Sequence, residues 1–201
     1  MPIESELPSN RAELSADIAE LIARSYGAAN AQTYRDFVPS SADQQALAFV
    51  GKELLTIFPN IPAACIMMSA LYALQMQSTT GHAAYVVAGA LWVGQIRIFG
   101  EDTPLNGSAR FSQSSRSWDG HAWVMFGSYI ADVSLFRTAY SQYSHPVLAA
   151  HVLREFGPGR GLMIVRDRDA ANSGITYVPQ YVLNEEQLMG VAQGALGMIS
   201  R

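Results

Sequence analysis

Gly120-His121-Ala122-Trp123-Val124-Met125-Phe126-Gly127-Ser128-Tyr129-Ile130-Ala131-Asp132-Val133-Ser134 is the stretch whose reading decides the fold. Two runs rich in aromatic and β-branched residues flank Gly127-Ser128, and such residues favour strands. Glycine in the first position of a two-residue loop predicts a type II′ hairpin turn. Phe126 then pairs with Tyr129, Asp132 lies opposite Trp123, and His121 lies opposite Ser134. Side chains two apart on a strand share a face. His121 and Asp132 are therefore diagonal neighbours, about 7–8 Å apart at Cβ or less, within reach of an imidazole–carboxylate hydrogen bond. A slip of one residue would put them on opposite faces.

Upstream of this hairpin the pattern is helical. Leu14, Ile18, Leu21, Ile22 and Tyr26 give one apolar face over residues 11–27, closed by Gly27. A polar connector is expected from there through Pro39-Ser40-Ser41. A second helix runs from about Ala42 to Phe58, capped by a serine. After Pro59-Asn60-Ile61-Pro62 a third helix covers Ala63 to Gln77. It is apolar nearly all round and so central and buried, with proline in its first turn. The period then shortens. Strands are expected at 84–88 and 91–99, with Gly89 and Gly94 marking a bend or bulge. A long polar loop spans 100–117, and strands return at 121–126 and 129–135. Pro146 to Phe156 reads as a helix, 162–165 and 175–182 as strands, and 185–199 as a closing helix. Helices first and consecutive strands after them predict an α+β fold with an antiparallel sheet, a single domain over 1–201 with a loose tail at 1–10.

Composition narrows the function classes. With 49% apolar and 15% charged residues, the chain can bury a sizeable core. A net charge of −4 and 13 scattered lysines and arginines leave no basic stripe for phosphates, so nucleic acid and anionic membranes are not expected partners. Arg166-Asp167-Arg168-Asp169 alternates in sign and reads as a solvated turn. The acidic start lacks a secretory pattern, no apolar run reaches a membrane span, and one cysteine excludes an internal disulfide, so the expected location is cytoplasmic. Gly157-Pro158-Gly159-Arg160-Gly161 lacks the Lys-Ser/Thr of a phosphate loop and precedes a strand, so no nucleotide cofactor is expected.

Cys65, the single cysteine, stands at the start of the third helix. Unpaired N–H groups and the macrodipole favour an anion there, and a thiolate is the nucleophilic form of a thiol. A lone cysteine in an apolar helix is more often a small core residue. An aspartate in a buried strand needs compensation, which His121 supplies. Asp132 would fix the ring's tautomer and leave its other nitrogen for a thiol, which is the orienter, base and nucleophile order of a triad. The same His–Asp pair could be purely structural. His82 and His145 read as turn and helix-start residues, His151 as amphipathic surface, and Met67, Met68 and Met76 as core filler.

These residues also carry a resemblance. Gly81-His82-Ala83-Ala84-Tyr85-Val86-Val87-Ala88-Gly89 after a cysteine-led helix, Gly120-His121-Ala122-Trp123-Val124, and the following Asp132 together resemble the transglutaminase-like (papain-like) cysteine superfamily. The likeness spans about Pro62 to Ser134. It departs from the family in the short interval between His121 and Asp132 and in Val133-Ser134 where the family commonly has Pro-Thr. What it implies is a transglutaminase-like core and a thiol hydrolase or acyltransferase, of peptidase or amidase type, acting on a peptide or small amide or acyl substrate through a thioester. Cys65 would be the nucleophile, His121 the base and then acid, and Asp132 the orienter. The oxyanion would meet the Cys65 backbone N–H and one further donor, for which Gln44, Gln45, Trp118 and Trp123 are candidates. Two rival readings stand beside it: an inactive binding or scaffold module of the same fold, and a metal site of Cys65, His121 and Asp132, with His82 added. The leading reading requires no metal and no cofactor.

Overall fold

Tyr85 to Val93, nine consecutive buried residues, form the strand β1 around which the sheet assembles. The computed structural model describes residues 17–101, 103, 105–111 and 118–199. The expected tail at 1–10, the start of the first helix and much of the 100–117 loop lie outside the described residues. Before β1 the described residues form four helices: α1 (Ile18–Tyr26), α2 (Ala28–Asp36), α3 (Ser41–Ile57) and α4 (Cys65–Thr80). After it come β2 (Ile96–Phe99), α5 (Gly107–Phe111), β3 (His121–Phe126), β4 (Tyr129–Asp132), α6 (Leu135–Tyr140), α7 (Pro146–Phe156) and β5 (Met163–Arg166). A short α8 (Asp167–Ala170), a 3₁₀ turn (Ala171–Ser173), β6 (Ile175–Val182) and α9 (Glu185–Ile199) close the order.

The described fold is α+β, with a six-stranded antiparallel sheet in the order β2-β1-β3-β4-β5 and with β6 also paired to β1. Alternation along β1 and β3 serves two cores. Val86, Ala88 and Val124 face α3, α4 and α9, whereas Tyr85, Val87, Trp123 and Met125 face α1 and α2. A third cluster joins Leu91, Val93 and Ile98 to α6 and α7. No described helix is long and apolar enough to cross a membrane.

Several expectations hold closely. Ser40 and Asp43 make a reciprocal capping box at α3, and Phe126 pairs with Tyr129 across Gly127, whose φ is 53°. Others are corrected. The expected polar connector after Gly27 is instead α2. Gly27 breaks the chain direction at φ 89°, and Ala31 anchors the new helix while Tyr34 meets the Tyr85 ring edge-on. The strand expected to reach Leu135 ends at Asp132, because that carboxylate captures the backbone N–H groups of Ser134 and Leu135 and starts α6. β1 runs unbroken through Gly89, and the bulge lies in its pairing with β6. A Cβ at Gly89 would meet the Val178 carbonyl oxygen at 2.0 Å, so this close approach requires glycine. Pro62 lies in a turn before α4, not in its first turn. The sign-alternating segment from Arg166 ends β5 and forms α8. His151 is buried and its Nε2 meets the Ser173 carbonyl oxygen at 2.8 Å, so it is not amphipathic surface.

One arginine ties this architecture together. The Arg137 guanidinium on α6 donates to the carbonyl oxygens of Leu55 (2.5 Å), Phe58 (2.9 Å) and Pro59 (3.2 Å). It thereby caps the C-terminal end of α3, where a cation complements the helix dipole. Replacing Arg137 with Ala is expected to cost about 1.5–3 kcal/mol, the range for charge-assisted hydrogen bonds. Denaturant unfolding measures this, and a change below about 0.5 kcal/mol, the scatter of ordinary surface substitutions, would contradict it.

Candidate functional site

Two aromatic-rich strands and one helix start converge on His121. The observed pairs Val124 with Ala131 and Phe126 with Tyr129 set the register, so Asp132 continues on the face of Trp123 and His121. His121 Nε2 and Asp132 Oδ2 are 2.5 Å apart, with 1% and 0% of the two residues exposed. The histidine ring is stacked against Phe99 at 5.4 Å and flanked by Trp123 and Tyr177, each at 6.3 Å.

A buried carboxylate is costly unless its lone pairs are satisfied, and Asp132 is satisfied on both oxygens. Oδ1 accepts from the Ser134 N–H (3.0 Å), the Ser134 hydroxyl (3.1 Å) and the Leu135 N–H (2.9 Å). Oδ2 accepts from His121 and from the Tyr177 hydroxyl at 3.0 Å. Burial pushes the Asp132 carboxyl upward, but the charge and hydrogen bond of His121, with the Ser134 and Tyr177 donors, hold it below its ordinary value. For His121 burial pulls the imidazole downward. The charge and hydrogen bond of Asp132, aided by Cys65, outweigh it and raise the ring above its ordinary range. Burial and the Asp132 charge push Tyr177 far upward, so it stays a phenol and a donor.

The thiol arrives from α4. Ser69, fully buried, donates its hydroxyl to the Ala122 carbonyl oxygen at 3.2 Å. Cys65 precedes Ser69 by four residues and shares its helix face. This one contact therefore sets the first turn of α4 against the start of β3. Cys65 acts on the His121 ring and helps to raise it, although the thiol forms no hydrogen bond to the ring in this structure. Because Nε2 is engaged by Asp132, Nδ1 is the nitrogen left for sulfur. The thiol is free and partly exposed, unlike its two partners. Ala63, with φ 56°, turns the chain into the helix start, a left-handed conformation costing a non-glycine residue about 1–3 kcal/mol. No side chain caps α4, so its first N–H groups have no side-chain acceptor.

The other expected residues fall elsewhere. Gln44 and Gln45 are exposed at the opposite end of α3 from the turn leading to Cys65, and the Gln44 amide donates to Pro39 at 3.4 Å. They are not brought to the thiol. A short connection makes successive helices antiparallel, so residues near Leu55 and Phe58 were the ones to place beside Cys65. The Trp123 indole N–H is buried without a hydrogen-bond partner among the described residues, on the face of β3 opposite α4. Trp118 is half-buried and leads into β3. His82 is exposed and stacks near Phe37 at 4.5 Å. No three His, Cys, Asp or Glu side chains among the described residues are placed to hold a metal ion. Sequence reasoning missed Tyr177 and Ser69: the first reaches Asp132 only through the pairing of β6 with β1, and the second reads as an ordinary small residue on a buried helix.

The pair sets a pH signature. A raised His121 contributes stability that is complete below its unfolded value near 6.5 and is lost as pH rises through the folded value. A lowered Asp132 contributes stability present above its unfolded value near 3.9 and lost as pH falls through the folded value. Asp132→Asn is therefore expected to destabilise most between about pH 4 and 6.5, by about 3–5 kcal/mol as for other broken buried pairs. Unfolding curves across pH test this, and a stability difference that does not vary with pH would refute it.

Protein-family models, curated proteins and solved structures were compared with the chain, and none matches.

Proposed function

We propose that the protein is a cysteine-dependent acyl-transfer enzyme, a hydrolase or acyltransferase of amide, peptide or ester substrates, built on a transglutaminase-like core. The observation that carries this reading is the buried His121–Asp132 pair, its carboxylate saturated with donors, with a free, partly exposed thiol at the start of the helix that Ser69 sets against β3. The resemblance over Pro62 to Ser134 supports the same chemistry.

In the proposed reaction the Cys65 sulfur attacks the substrate carbonyl carbon and forms a C–S bond. His121 holds the thiol proton at Nδ1 and delivers it to the departing amine or alkoxide as the C–N or C–O bond breaks. Water, or an amine, then attacks the thioester with its proton passing to Nδ1, and the C–S bond breaks to restore the thiol. Asp132 keeps Nε2 protonated and stabilises the imidazolium. The backbone N–H groups at the uncapped start of α4 face the developing oxyanion. The Asp132 oxygens have no vacancy for a metal, which weighs against the metal reading.

The direct test is acylation by p-nitrophenyl acetate. A stoichiometric burst of p-nitrophenolate is expected, with acetyl mass added at Cys65 and nothing in Cys65→Ser. His121→Ala should slow the burst about 10²–10⁴-fold, the usual contribution of a general base. No burst in the folded wild-type protein, or one that persists in Cys65→Ser, would defeat the proposal. Tyr177→Phe removes one hydrogen bond to a charged acceptor, so stability should fall by about 1.5–3 kcal/mol while the burst persists at a lower rate. Loss of the burst equal to that of His121→Ala would contradict a supporting role for Tyr177.

A further inference from the structure

Three partly exposed aromatic rings, Phe111, Trp118 and Tyr181, pack against the same core cluster as the helix α4 that Cys65 begins. The chain leaves α4 and enters β1 at Tyr85, whose partner is Met125 near the end of β3, so α4 and β3 run in the same direction. Ser69 lies over Ala122. One helical turn back is about 6 Å, close to two residues of strand, which puts Cys65 level with Gly120. The Trp118 indole lies flat on that glycine: a Cβ at Gly120 would meet the ring at 2.1 Å. Phe111 meets Trp118 edge-on at 5.4 Å and stacks with Tyr181 at 5.8 Å. Tyr181 pairs with Ala88, and Ala88 with Ala122, so Tyr181 shares the row over which Ser69 lies, one helical turn beyond Cys65, and the same face of the sheet. A Cβ at Gly107 would meet the Tyr181 ring at 2.1 Å, so this ring too is seated on a glycine. Two of the three rings thus rest on bare backbone, and the Tyr181 hydroxyl is held by Gln187 at 3.0 Å.

From this placement we infer that Trp118, Phe111 and Tyr181 form an acyl-side subsite beside Cys65 that selects substrates with an apolar chain or aromatic ring next to the scissile carbonyl. The inference rests on the acyl-transfer reading above. Fixed rings provide apolar contact at little entropic cost, and each methylene buried against them adds to binding.

The experiment compares acylation of the full chain by p-nitrophenyl acetate and p-nitrophenyl hexanoate, each rate divided by that of free glutathione with the same ester. The normalised preference for hexanoate is expected to reach about tenfold or more, in line with the discrimination apolar pockets achieve. In Trp118→Ala it should fall to within about twofold of the glutathione reference, the extra apolar contact being lost, while Tyr181→Phe, which keeps the ring, should retain it. A wild-type preference indistinguishable from glutathione overturns the subsite and leaves the triad standing, and this comparison holds even if Trp118→Ala does not fold. A preference retained in folded Trp118→Ala also overturns it. Failure of both esters to acylate Cys65 removes the acyl-transfer reading and the subsite with it.

Discussion

A carboxylate with no access to water governs this structure. Asp132 is stable in its strand only because five hydrogen bonds, from Ser134, Leu135, Tyr177 and His121, replace the hydration it has lost. Each donor comes with a structural consequence. The two backbone donors end β4 and start α6. Tyr177 ties the carboxylate to the far side of β1 through β6. His121 locks the first residue of β3. The charge is thus both the centre of the candidate site and the corner at which strand becomes helix.

From that corner the geometry passes to the thiol by two routes. One is Arg137, two residues beyond Leu135, which grips the end of α3 and so the turn that delivers Cys65. The other is Ser69, which sets α4 against β3 directly. Neither residue touches the reacting atoms. A candidate site drawn from three separate elements needs such links, because small shifts at any one of them break a hydrogen bond whose worth depends on distance and angle.

Much of this was legible in the sequence because it depends on local rules. Gly127-Ser128 specifies a tight turn, a tight turn specifies register, and register alone places His121 and Asp132 on one face. The serine cap of α3, the helix from Pro146 and the strand from Ile175 are likewise local signals. What escaped notice depends on other elements. α2 has few apolar residues and is held by Ala31 and Tyr34 against the outer face of β1, a partner that cannot be foreseen from its own composition. His151 looked like surface because its acceptor, the Ser173 carbonyl, lies 22 residues away. Gln44 and Gln45 were proposed as oxyanion donors from residue type alone, whereas the short turn between α3 and α4 already fixed which end of α3 meets Cys65.

The contrast in exposure among the three central residues carries the last step of the argument. Histidine and aspartate are sealed by Phe99, Trp123 and Tyr177, whereas the thiol retains open surface. A sealed pair interacts through a low effective dielectric, so the field of Asp132 on the imidazole is little screened by solvent or salt. Of the three side chains only the thiol keeps open surface, and it stands at a helix start with no side-chain cap, beside a ring already held in one orientation. Groups fixed before a ligand arrives need not reorganise during a reaction, and that is the condition under which buried polar groups favour a transition state more than a ground state. The cost is borne in advance, by the burial of Asp132 and by the strained backbone at Ala63.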